Sequence, residues 1–388
     1  MSRLDDLIAE LCPNGVEFKR IKEVYTRLKG TPITAGKMKE IETIDGEIRV
    51  FAGGRTVINA REEDIPNANI TRVPAVLVQS RGVIDFIYYE EPFTFKNEMW
   101  AYTNKERISV KFLYYVLKNN AEHFREAASG MGSLPQISLP ITEEFVVPVP
   151  PLEVQREIVR VLDDFTFLSA ELSAELSARK KQYDYYRDFL IDNPKGNVKE
   201  KQMGEVLTFL NGRAYKQEEL LDQGKYPVLR VGNFYTNDSW YYSDLELEDN
   251  KYCNTGDLLY SWAATLGPKI WDGPKCIYHY HIWKILFKEK EIDKYYLFYY
   301  LQYDLRKIAE STTKSTMIHV SMGSMKERPI VLPNIEEQRR IAGLIMSFDK
   351  LCSDMKDGLP AEIEYRKKQY EYYRDKLLSF EMIGEKDG

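Results

Sequence analysis

The decapeptide RKKQYDYYRD at residues 179–188 returns as RKKQYEYYRD at 366–375, nine identities in ten at an offset of 187. Chance does not produce such a match, so the chain carries an internal duplication. Upstream, PPLEVQREI (150–158) answers PNIEEQRRI (333–341) at an offset of 183, aligning Pro150 with Pro333, Gln155 with Gln338 and Arg156 with Arg339. GSLPQIS (132–138) answers STMIHVS (315–321) at the same offset, and FLYYVL (112–117) answers YLFYYL (296–301) at 184. The chain therefore reads as two tandem copies of one unit, a mixed head followed by a long helix. The divisions fall at 1–150 for the first head, 151–192 for its helix, 193–333 for the second head and 334–388 for the second helix.

The heads read as α+β. AVLVQS (75–80), VIDFIYY (83–89), LRVGNFY (229–235), DLLYSW (257–262) and KCIYHYHIWKILF (275–287) are β-branched or aromatic and bounded by turn residues, which predicts strands. The helices carry apolar residues stepping mostly by three or four: Ile158, Leu162, Phe165, Leu168, Leu172, Leu176, Tyr183, Tyr186, Leu190 in the first copy. The second runs Ile341, Ile345, Phe348, Leu351, Met355, Leu359, Ile363, Arg366, Tyr370, Tyr373, Leu377. Such a stripe is too narrow for a head to wrap. The expectation is an antiparallel coiled coil with a pseudo-twofold axis, because a head separates the two helices in the chain; the alternative is that each helix caps its own head. Gly358 and Pro360 predict an interruption of the second helix.

With 44% hydrophobic and 29% charged residues the chain is globular rather than disordered. It has no N-terminal apolar leader and no apolar run of membrane-spanning length, so neither export nor membrane insertion is expected and the cytoplasm is the expected location. Cys12, Cys253, Cys276 and Cys352 form no CxxC pair and read as reduced thiols. The net charge of −6 argues against a nucleic-acid binder until it is mapped. Residues 153–192 and 334–388 carry −3 and −2, which leaves the heads near neutral.

The motifs P-x-P-P-L-x-x-Q-x-x-I (Pro148 to Ile158), L-P-N-I-E-E-Q-R-R-I (Leu332 to Ile341) and G-S-x-x-x-I-S (Gly132 to Ser138), with the helices that follow, resemble the specificity subunit of type I restriction–modification systems. The resemblance covers the full length, although the second loop, Ser315 to Ser321, lacks the glycine. It implies a subunit without catalytic activity or bound cofactor, whose two target-recognition domains each read one half of a bipartite double-stranded DNA site. It further implies that the helices set the half-site separation and dock two methyltransferase subunits. Those partners would use S-adenosylmethionine to methylate adenine, and restriction subunits using ATP and Mg would join them. A specificity subunit of a related modification system, or a scaffold with two protein-binding heads, fits the same layout.

Enzymatic alternatives lack their motifs. There is no (D/N)PP(Y/F) element for a flipped base and no GxxxxGK[ST] phosphate loop. His279 and His281 in HYH would share one face of a strand, but no third ligand is near, so no metal site is expected.

Base reading needs forked donors, amides and aromatic walls. In the first head the candidates are Gln79, Ser80, Arg81, Lys96, Asn97, Ser129, Ser133 and Gln136. In the second they are Arg230, Asn233, Tyr235, Ser261, Trp262, Lys284, Lys314, Ser315, Thr316 and His319. For partner docking the duplicated helical faces offer Gln155, Arg156, Arg179, Lys180, Tyr183 and Tyr186, with Gln338, Arg339, Arg366, Lys367, Tyr370 and Tyr373 as their counterparts. Finally, FLSAELSAELSAR (167–179) repeats a four-residue turn where the offset between copies changes from 183 to 187, and it reads as a length-setting segment.

Overall fold

The computed structural model describes residues 3–128, 134–235, 237–311, 320–354 and 357–383. Two compact units form, and neither is a consecutive block. One comprises Met1–Leu172 with Ile363–Gly388, the other Ser173–Glu362. Each decapeptide thus belongs to the unit built around the other copy's head. The sequence-level division of a head followed by its own helix is corrected here: the heads exchange the far ends of their helices.

In the first unit a four-stranded antiparallel sheet runs in the order Thr26–Lys29, Trp100–Thr103, Ala75–Gln79, Asp85–Tyr89. A second sheet orders Val57–Ala60, Ile48–Phe51, Phe93–Phe95, the last pair parallel. The helix Arg107–Asn119 covers the first sheet and shares its core with Ile158 and Leu162 of the long helix Leu152–Asp192. Tyr370, Leu377, Leu378 and Phe380 pack on that core, and Val16 pairs with Met382 in an isolated bridge.

The second unit repeats the plan. Leu207–Asn211, Ile282–Phe287, Leu258–Ser261 and Gly267–Ile270 form one sheet; Tyr241–Ser243, Tyr226–Leu229, Cys276–Tyr278 and Tyr252–Cys253 form the other. Cys253 and Cys276, remote in sequence, face each other across the ladder with sulfurs 2.9 Å apart, and both are free thiols. Ile191 is in the core beside the helix Lys294–Ser311, and Arg306 pairs with both Asp184 and Asp188. Two predicted strands need correction. Residues 231–234 of LRVGNFY form a 3-10 turn, and HYH is the connection between two strands rather than part of one.

Within each unit the helices pack antiparallel through the same contact made twice. Phe165 stacks on Tyr373 (5.6 Å, 25°) and Phe348 on Tyr186 (5.8 Å, 24°), and these four residues are two aligned pairs of the duplication. The second helix is interrupted: Ile335–Ser353 ends and Leu359–Leu377 begins anew, with Pro360 in its first turn, where a missing N–H costs nothing. The offset between the copies changes from 183 to 187 between Leu351 and Leu359, across the end of one of these helices and the start of the next. Among the described residues no helix is long and apolar enough to cross a membrane.

Candidate nucleic-acid interface

Both heads build one loop frame at the ends of their sheets. In the first, Lys96 N–H donates to the Phe51 carbonyl (2.9 Å), Thr31 N–H to the Phe95 carbonyl (2.7 Å) and Met99 N–H to the Lys96 carbonyl (2.9 Å). In the second, His279 N–H donates to Leu229 (2.9 Å), Arg213 N–H to Tyr278 (3.0 Å) and Ile282 N–H to His279 (3.0 Å). Gly30 and Gly212 permit the crossing, since a Cβ at either would sit 2.2 Å from the carbonyl oxygen of Phe95 or Tyr278. Lys96-Asn97-Glu98 and His279-Tyr280-His281 therefore occupy one structural position with different chemistry.

In the first unit the strand-pair bridge Arg81–Gln136 and the Ile137 N–H to Ser80 carbonyl bond (2.9 Å) draw the loops at 80–82 and 134–138 together. The Gly54 N–H to Arg81 carbonyl bond adds the 52–55 turn. Arg81, Asn97 and Gln136 are exposed there. Asn97 and Gln136 line a groove of about 660 Å³ together with Arg27 and Lys29. Those two basic residues were missed; the alternation in TRLK on the strand Thr26–Lys29 was the available signal.

Two candidates face inward and are corrected, and a third is half-buried and ion-paired. Gln79 is buried with Nε2 donating to the Gly54 carbonyl (2.6 Å), and buried Ser80 donates to the Glu98 carbonyl (2.5 Å). Lys96 is held by Glu98 at 2.9 Å. Ser129 and Ser133 lie outside the described residues.

In the second unit Arg230 and Tyr235 are exposed, with Arg230 over the Tyr241 ring at 5.3 Å. Half-buried Asn233 organises its own loop, donating to the carbonyls of Asn237 (2.8 Å) and Ser239 (3.0 Å). Trp262 stacks on Trp283 (6.0 Å, 19°) and donates from Nε1 to the Tyr280 carbonyl (2.8 Å), which buttresses the HYH turn. Ser261 is fully buried and Lys284 is paired with Asp257 at 2.6 Å, so both support the fold rather than face outward. Lys314, Ser315, Thr316 and His319 lie outside the described residues. Among the described residues no group of three His, Cys, Asp or Glu side chains is placed to hold a metal ion.

The helical candidates divide likewise. Gln155 and Gln338 are buried and donate from Nε2 to the Pro150 (2.7 Å) and Pro333 (2.8 Å) carbonyls, so they anchor the strand-to-helix turn rather than dock a partner. Tyr183 and Tyr370 pack on the two cores, with Arg187 and Arg374 over their rings, while Tyr186 and Tyr373 form the stacked pairs; all four serve the seam. Arg156, Lys180, Arg339 and Lys367 are exposed, Arg179 contacts Glu175 and Gln182, and Arg366 contacts Gln369. The most exposed aromatic residues of the decapeptides are Tyr185 and Tyr372, each 64% exposed and standing edge-on to its neighbour. Their place off the apolar stripe was the sequence signal for an outward face.

The chain matches the model of the type I restriction modification DNA specificity domain twice, over residues 13–179 and 195–365. It is 30% identical over 303 residues to a putative type I restriction enzyme specificity subunit of Haemophilus influenzae, covering 74% of this chain and 77% of that one. With a type I restriction enzyme specificity subunit of Escherichia coli it shares 32% identity over 293 residues, 70% of this chain and 71% of that one. The structure of a type I restriction-modification S subunit from M. genitalium matches at a TM-score of 0.55 and 18% identity, over 94% of this chain and 95% of that one. A chain from a type I system studied for complex assembly and conformational transition matches at 0.59 and 16%, over 94% and 98%. At those identities the two structures speak to the fold alone. The duplicated heads, the shared loop frame and the two family matches together place this chain in the type I restriction–modification DNA specificity family.

Proposed function

We propose that this chain is the non-catalytic specificity subunit of a type I complex and that each head reads one half of a bipartite double-stranded DNA target. The observation that carries this reading is the single loop frame displayed twice with unlike exposed side chains at its tip, Asn97 in one head and Tyr280 in the other. One scaffold with two chemistries is what reading two different half-sites requires. In this reading Arg81, Asn97, Gln136, Arg27 and Lys29 face the first half-site, and Arg230, Tyr235 and the HYH turn face the second.

The long helix, 41 residues or about 60 Å at 1.5 Å per residue, fixes the half-site separation. Two copies of a methyltransferase subunit dock on the outward faces marked by Tyr185 with Lys180 and Tyr372 with Lys367, since one face presented twice recruits one partner twice. Those partners supply S-adenosylmethionine chemistry on adenine, and restriction subunits supply ATP- and Mg-dependent cleavage.

Duplex binding by the complex with its methyltransferase partner, measured from about 50 to 200 mM salt, tests the reading. Neutralising several phosphates makes affinity fall by a factor of about 10³ or more over that range. A complex whose duplex affinity is absent or independent of salt would favour a scaffold with protein-binding heads.

A further inference from the structure

In the first head the loop frame encloses an anion of its own. The Glu98 carboxylate sits beside the 52–54 turn, 3.5 Å from where a Gly53 Cβ would stand, and is paired with Lys96 at 2.9 Å. Burial works against its ionised form. Hydrogen bonds from Lys96, from its own backbone N–H and from Gly53 outweigh that and hold the carboxyl below its usual range. The notch of this head is thus internally neutralised.

The second head keeps the frame and replaces the contents. Its equivalent turn follows Leu229, and its equivalent loop places His279 where Lys96 stands and His281 where Glu98 stands. The resulting pocket, of about 240 Å³, is lined by Arg230, Val231, Gly232, Asn237, His279 and His281. Among the described residues no carboxylate lines it. His279 accepts from the His281 backbone N–H through Nδ1 (3.4 Å), which leaves its proton on Nε2 as a donor. Burial, then the proximity of His281 and Arg230, lowers the His279 imidazole to about 4, and the Arg230 guanidinium gives the pocket a permanent positive charge.

From this comparison of the two copies we propose that the Arg230–His279–His281 notch binds a phosphodiester of the DNA backbone at the second half-site, an external anion in the place that Glu98 fills internally in the first head. The assignment rests on the reading of the chain as a DNA-specificity subunit. It makes the two heads unequal: the second gains a positioning contact indifferent to base identity, and the first has no such contact at the equivalent place.

The test uses the full chain in complex with its methyltransferase partner and duplexes carrying its methylated motif, read by fluorescence anisotropy across a salt series. Arg230→Gln is expected to weaken binding about tenfold, equally for duplexes altered at any base of the second half-site, and to reduce the salt slope by about one. His281→Glu, which restores the carboxylate of the first head, is expected to weaken binding at least as much. A neutral methylphosphonate walked through the second half-site should find one position where the wild-type complex loses affinity and the Arg230→Gln complex loses nothing more.

Unchanged affinity and slope in Arg230→Gln would overturn the assignment, as would a loss confined to one base pair, which marks a base contact. Histidine proton signals that shift with inorganic phosphate at constant ionic strength but not with duplex would assign the notch to a free anion and overturn it too. A wild-type complex with no duplex affinity at any salt would overturn the DNA reading itself, and this assignment with it.

Discussion

Deleting Leu172–Glu175 removes one LSAE unit from the middle of a helix that is continuous from Leu152 to Asp192. Four residues correspond to about 6 Å of rise and 400° of turn, so residues beyond the deletion come about 6 Å closer and rotate by about 40° about the helix axis. The unit boundary lies inside this repeat, between Leu172 and Ser173, so neither core loses a residue of its own beyond Leu172. Leu176 inherits the position of Leu172, both half-buried on the same stripe, and the stability cost is expected to stay below about 1 kcal/mol.

Against about 3.4 Å per base pair, 6 Å is at most roughly two base pairs. The methylated motif of cells carrying the variant with its methyltransferase partner should therefore keep both half-sites and lose one or two positions of the unspecified gap. Single-molecule methylation sequencing reads this directly. An unchanged gap would refute the length-setting role and leave the repeat as packing. A change in half-site bases would show that the helix acts on reading instead.

Phe165→Ala and Phe348→Ala each remove one half-buried stacked pair of matching geometry. Each should cost about 2 kcal/mol in urea unfolding, below the 3–5 of a fully buried Phe; costs differing by more than twofold would contradict the equivalence of the two seams. Gly30→Ala and Gly212→Ala drive a Cβ to 2.2 Å from a backbone oxygen, so each should lower stability by about 3 kcal/mol or more, or abolish soluble expression. Glu337 is buried, and hydrogen bonds from Arg340, chiefly, and from the Lys195 N–H hold its carboxyl below the ordinary range despite burial. A depressed carboxyl stabilises the fold above its unfolded value of about 4.3, and that contribution is lost as pH falls through the folded value. Glu337→Gln should accordingly be less stable than wild type at neutral pH, with the difference closing below about pH 4; chemical denaturation across pH measures it.

The duplication, the broken second helix and the apolar stripe were legible because identity, Pro360 and three-four spacing are properties of the sequence. The exchange of helix ends was not, because the decapeptides are nearly identical and a face that fits one head's surface fits the other's equally well. Polar residues at strand ends were misjudged for a related reason. Gln79, Ser80 and Ser261 read as outward donors, but the carbonyls of Gly54, Glu98 and Ala263 satisfy them, and two of these come from segments 18 and 25 residues away. HYH read as strand because its alternation is strand-like; the His279 N–H bond to Leu229, 50 residues distant, turns it into a loop. Burial of Gln155 and Gln338 was hidden in the same way, since a glutamine repeated in both copies marks a shared role without saying whether that role faces solvent.

The claim that each head reads its own half of a split target is tested most directly by methylome sequencing of cells with and without the gene, its methyltransferase partner expressed in both. The account predicts one adenine-methylated motif of two defined halves separated by an unspecified gap, present only with the gene. Methylation unchanged by the deletion, or a motif with a single continuous half, would contradict it.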